Sequence, residues 1–101
     1  MYAARIIGTV VATQKDPRMN SFKMQVVQPV NLITFKDEGK PAVAIDAVGA
    51  GYNEIVLVVA GSSARLTELT LNKPVDATIT AIIDYVDIDG KNVFSKSKKE
   101  T

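Results

Sequence analysis

The chain has 101 residues, 47% of them hydrophobic and 23% charged, which fits one small domain with a thin core and excludes a globally disordered chain. Its 12 Lys and Arg stand against 11 Asp and Glu, a net charge of +1, which argues against binding nucleic acid or an anionic membrane through bulk charge. Cys and His are both absent, which removes disulfides, thiol nucleophiles, Cys-based zinc sites and the imidazole that most often serves as base or metal ligand.

The N-terminal stretch Arg5 to Gln14 is rich in Ile, Val and Thr and predicts a first strand, with Gly8 as a bulge or bend. Gly8, Thr9, Thr13 and Gln14 interrupt it too often for a secretory leader. Lys15 to Asn20 is a polar turn around Pro17, and Ser21 to Val30 is a second strand. There Phe22, Met24 and Val26 share one face, and Lys23, Gln25 and Val27 the other. Leu32 to Phe35 leads into Lys36-Asp37-Glu38-Gly39-Lys40, a charged, Gly-containing turn of loop-tip composition. Pro41 to Val48 is a third strand, with Val43 and Ile45 opposite Ala44 and Asp46, and Gly49-Ala50-Gly51 breaks it.

Ile55 to Ala60 is a fourth strand, apolar on both faces, and therefore either covered on both or facing another subunit. It is far shorter than the roughly 20 residues a membrane-crossing helix needs. Ser62 to Leu69 is the one credible helix, N-capped by Ser62 and stopped at Asn72-Lys73-Pro74. Val75 to Tyr85 alternates cleanly as a strand, and Asp89-Gly90 predicts a hairpin return through Asn92, Val93 and Phe94. The expected fold is all-β: a small OB-like Greek-key barrel of about five strands with one short helix. Residues 1–95 form its single domain, and residues 96–101 a flexible basic tail.

No catalytic, metal or cofactor set emerges. Asp84 lies on the opposite strand face from Asp87 and Asp89, so these acids do not converge. Aligned to a calcium loop, Asp87-Ile88-Asp89-Gly90 would put Tyr85 first and Lys96 last, both unsuited. Gly49-Ala50-Gly51 lacks the rest of a nucleotide-binding fingerprint, and Gly61-Ser62-Ser63-Ala64-Arg65 reads equally as a capped helix start or an anion-facing one. An OB barrel could stack single-stranded nucleic acid on its aromatics, but Tyr2, Phe22, Phe35, Tyr52, Tyr85 and Phe94 are scattered and not interleaved with cations. Between Pro41 and Ala64 the only charges are Asp46 and Glu54. Surplus apolar surface of this kind points to self-association.

The segments Arg5 to Asp16, Lys23-Met24-Gln25-Val26-Val27-Gln28, Ala44 to Gly51, Glu54 with its apolar strand, Gly61 to Arg65, Pro74-Val75-Asp76-Ala77, Ala81-Ile82-Ile83-Asp84 and Phe94-Ser95-Lys96 together resemble the EutN/CcmL family. Members of that family are the pentameric vertex proteins of bacterial microcompartment shells. The resemblance implies a non-enzymatic homopentamer that caps five-fold corners and meets hexameric and other shell proteins. It further implies no cofactor, no nucleic-acid or membrane partner, and a place in the shell of a microcompartment in the bacterial cytoplasm. It also directs attention to Gly49, Ala50, Gly51, Gly61, Ser62, Ser63, Ala64 and Arg65 as the subunit interface or axial pore, because small residues let backbones approach closely around an axis.

Overall fold

In a computed structural model of the protein, residues 1–12, 16–19, 23–61 and 76–96 are described. Seven strands appear in them: β1 (Tyr2–Val10), β2 (Met24–Pro29), β3 (Ala42–Asp46), β4 (Ile55–Ala60), β5 (Ala77–Ile82), β6 (Tyr85–Ile88) and β7 (Lys91–Ser95). A 3-10 turn spans Pro17–Met19. The predicted helix from Ser62 to Leu69 lies outside the described residues.

The first five strands close on themselves in the order β1-β2-β3-β5-β4, while β6 and β7 form a separate two-stranded sheet. All barrel pairs are antiparallel except β3 with β5. This is the Greek-key order of the OB-like barrel the pattern predicted. Closure leaves the barrel no free edge, which suits a chain whose strands are this apolar. The parallel seam is the shortest, with Ile45 opposite Thr78 and Asp46 opposite Ile79. It continues one bond further, from the Ala47 N–H to the Ile79 carbonyl at 3.3 Å.

The interior is filled by small and β-branched side chains: Ala4, Ile6, Val27, Ala44, Ala50, Val56, Val58 and Ile79. Burying each Val or Ile contributes roughly 1.5–3 kcal/mol. On β4, Ile55, Val56 and Val58 are buried and Leu57 and Val59 half-buried, so its inner side supplies core while its outer side is only partly covered. On β2, the buried positions are Gln25, Val27 and Gln28, and the more apolar Met24 and Val26 stay half-buried.

Several boundaries differ from the pattern for tertiary reasons. β1 begins at Tyr2 because Tyr2 to Arg5 pair with Val58 to Ile55. Its predicted irregularity falls next to Gly8, where Ile7 is the extra residue between Ile6 and Gly8 opposite β2. The expected single strand from Val75 to Tyr85 is broken. Ile83 still donates to the Ile55 carbonyl at 2.8 Å, after which the chain leaves the barrel into β6. Within β5 the alternation also fails, since Thr78 and Ile79 are both buried and Thr80 bulges between Ala81 and Ile79. Asp84 therefore lies in the break between strands, and strand parity does not relate it to Asp87 and Asp89. The hairpin tip follows the prediction: Asp89 (φ 52°) and Gly90 (φ 76°) both adopt positive φ, as a type I′ turn requires.

Candidate subunit-contact site

The strand directions place the candidate residues. β1, β3 and β5 run one way and β2 and β4 the other, so the β3–β4 connection and the β4–β5 connection lie at opposite ends of the barrel. Gly49, Ala50 and Gly51 belong to the first and Gly61 to the second, separated by the length of β4, roughly 20 Å. They do not form one local cluster. Ser62, Ser63, Ala64 and Arg65 lie outside the described residues.

The β3–β4 connection is built by two carboxylates. Asp46 is 7% exposed at the end of β3. Its Oδ1 accepts the N–H groups of Val48 at 3.0 Å and Gly49 at 2.9 Å, the Asx arrangement that lets an aspartate direct the turn after it. Gly49 sits at φ +75° with open space where a Cβ would be, so the backbone conformation, rather than crowding, calls for glycine. Glu54 closes the far side: its Oε1 accepts the Gly51 N–H at 2.6 Å, and its Oε2 meets Lys96 Nζ at 2.6 Å. Gly51 itself has no positive φ, but a Cβ there would lie 3.3 Å from Glu54 Oε1. The glycine therefore leaves room for the carboxylate that holds the turn.

Between the two halves, Ala50 is buried in the chain's own core, and its carbonyl accepts a hydrogen bond from Gln25 Nε2 at 2.9 Å. What the turn offers outward is Val48, Gly49, Tyr52 and Asn53, with Tyr52 74% exposed. Val43 on β3 is 49% exposed and Tyr85, where the chain enters β6, 64%. These are large apolar surfaces for a chain of this size to leave in water.

Sequence reasoning found the glycines and missed the groups that hold them. Asp46 and Glu54 stood out only as isolated charges in an apolar stretch, although an aspartate two and three residues before Val48 and Gly49 is itself a turn signal. Alternation puts Gln25 on a strand face and says nothing of a role for it. A lone amide inside Met24-Gln25-Val26-Val27 was the available sign of a buried polar partner. Among the described residues no cluster of three or more acids could hold a metal ion.

A closed five-stranded OB-like barrel with an outward-facing apolar turn defines a class of small structural or binding domains, and comparison with known proteins narrows it. Residues 1–84 match the family described as ethanolamine utilisation protein EutN/carboxysome, and the chain belongs to this EutN/CcmL family. Over 101 aligned residues it is 42% identical to the carboxysome shell vertex protein CcmL of Synechococcus elongatus, spanning 95% of this chain and 96% of that protein. The solved structure of Gloeobacter violaceus CcmL superposes with a TM-score of 0.90 at 38% identity, covering 96% of this chain and 99% of that one. GrpN from Rhodospirillum rubrum, described as a pentameric microcompartment shell protein, gives a TM-score of 0.75 at 38% identity, covering 87% of this chain and 98% of its own. Family members of this kind are structural shell components, not enzymes. The alternative of a single-stranded nucleic-acid binder finds no support among them.

Proposed function

We propose that the chain is a structural shell protein of a bacterial microcompartment. It assembles as a homopentamer that caps five-fold vertices of the shell and meets hexameric and other shell proteins at its rim, within the bacterial cytoplasm. The observation that carries this reading is the match over nearly the whole chain to a shell vertex protein, at 42% identity. The geometry explains how such a role is performed without chemistry: a flat array of six-fold tiles closes into a polyhedron only where five-fold tiles are inserted. A ring of identical subunits closes when each presents one patch and accepts the complementary patch of its neighbour.

Gly49, Ala50 and Gly51 are proposed as one face of that contact or of the axial opening; Gly61, at the other end of the barrel, and Ser62, Ser63, Ala64 and Arg65, which follow it in sequence, are proposed to contribute as well. Within the first set, Gly49 and Gly51 carry the backbone outward and Ala50 anchors it in the core. The unit that assembles is the single domain over residues 1–95, with the basic tail over 96–101 beyond it, of which Lys96 is tied back to Glu54. Sedimentation of the purified chain tests the proposal: a single species at five times the chain mass supports it, and a folded monomer or dimer at low micromolar concentration refutes it.

A further inference from the structure

Gln25 is 1% exposed in the barrel wall, one of four buried polar or charged residues with Gln28, Asp46 and Thr78 among the described residues, at a position where Met or Leu would fill the same space with less polar surface to desolvate. Every buried side-chain polar atom among the described residues has a partner, and those of Gln25 reach three segments. Its Oε1 accepts from the Thr9 hydroxyl on β1 at 3.0 Å. Its Nε2 donates to Asp46 Oδ2 at 3.2 Å and to the Ala50 carbonyl at 2.9 Å. The last two acceptors are the first residue of the candidate contact turn and the residue at its middle. Asp46 fixes the backbone from 46 to 49 and Glu54 fixes it from 51 to 54. Neither carboxylate is hydrogen-bonded to Ala50, the residue between these two local motifs. The amide of Gln25 holds Ala50 and Asp46 at once, and so sets one half of the turn relative to the other.

We propose that Gln25 is the positioning residue of the 46–54 turn, bracing it from inside the barrel so that Gly49, Gly51 and Tyr52 are presented in the one arrangement a neighbouring subunit can accept. The inference rests on the proposed assembly, but its first consequence, order in the turn, is measurable on its own. The role needs a donor facing two acceptors, which an amide supplies and a carboxylate does not.

Gln25→Glu is therefore the decisive substitution. It keeps the shape and places an acid beside Asp46 Oδ2 and the Ala50 carbonyl. The other charged groups around the turn are Lys23, exposed, whose carbonyl accepts the Asp46 N–H at 2.9 Å, and the Glu54–Lys96 pair. From β1 the group met is the uncharged Thr9 hydroxyl, and β5 brings Thr78 and Ile79 to the end of β3. Protonated, the new acid can still donate to one acceptor; ionised, it faces two and repels Asp46. Two buried carboxylates in contact share their titration and hold a proton to higher pH than either alone.

The experiment follows ring fraction by native mass spectrometry and amide exchange at Val48 and Gly49, from about pH 5 to about pH 9, in the natural chain and in Gln25→Glu. The expected result is a variant that assembles at the acid end and loses its rings as pH rises, with the protection factors of the two amides, which discount the intrinsic rise of exchange with pH, falling about tenfold or more. The natural chain shows no such transition. Gln25→Met serves as a second variant, expected to keep the barrel's circular dichroism while showing fast turn exchange and few rings at every pH. Turn amides as protected in both variants as in the natural chain overturn the role of Gln25, and leave the assembly reading untouched. Fast turn exchange with intact rings overturns both the consequence for assembly and the place of the turn in the subunit contact. A natural chain that forms no ring fails the proposed function before any substitution is made.

Discussion

The barrel and the β6–β7 hairpin solve the same problem differently. The barrel pairs every strand on both sides and buries Ile6, Val27, Val56, Val58 and Ile79 inside. The hairpin has two strands, no buried residue and two sheet edges outside the barrel, a size that is marginal alone in water. It is attached at particular points. Phe94 stacks on Phe35 with ring centroids 4.9 Å apart, Lys96 reaches Glu54, and the Lys96 N–H closes the hairpin base on the Asp84 carbonyl at 2.7 Å. The match to the family also ends at residue 84, where the hairpin starts. One region is held by its own core and the other by attachments, and one of those attachments is the carboxylate that also holds Gly51. The hairpin and the candidate contact turn thus share Glu54.

This contrast can be broken in graded steps. Ile79→Ala removes a fully buried side chain at the short parallel seam and is expected to cost about 2–5 kcal/mol, read as a lower urea midpoint for the whole chain. Gly49→Val forces a β-branched residue to φ +75°, costing about 1–3 kcal/mol. It should reduce ring formation while the isolated barrel keeps its circular dichroism. Phe94→Ala removes the stack on Phe35, worth about 0.5–1.5 kcal/mol beyond the area it covers. Exchange should quicken at Val86 and Ile88 and remain unchanged at Val56 and Val58; equal acceleration in both would erase the distinction between the two regions. Lys96→Met and Glu54→Gln, combined in a double-mutant cycle, should show a coupling of at most about 1 kcal/mol that shrinks with salt, because Lys96 is half exposed.

Asp16 marks the lower limit. Hydrogen bonds from Arg18 hold its carboxyl down at about 2. Any stability it adds is therefore present above the ordinary carboxylate range and lost as pH falls towards 2. Both partners are exposed and two residues apart, so Asp16→Asn should leave the melting temperature unchanged at neutral pH.

The barrel was legible in the sequence because its signals are local and repeated. Ile55 to Ala60 was bounded to the residue, and Asp89-Gly90 declared its turn through φ values that few other dipeptides tolerate. What was not legible depended on distant partners. The early start of β1 reflects its pairing with β4, and the break after Ile82 occurs where Ile83 is still tied to Ile55. The same holds for the candidate site. Glycines advertise turns, but the separation of Gly49 from Gly61 by the length of β4, the burial of Ala50 and the convergence of Gln25 on Asp46 follow from strand order, which alternation cannot supply. β2 is the sharpest case, since its more hydrophobic face looks outward and its interior face carries the glutamine.

Native mass spectrometry of the unmodified chain at low micromolar concentration is the most direct test of the central claim. The account predicts one dominant species at five times the 10.9 kDa chain mass, with monomer appearing only when denaturant is added. A well-folded monomer would contradict it, since the exposed Val43, Tyr52 and Tyr85 would then have no subunit to cover them.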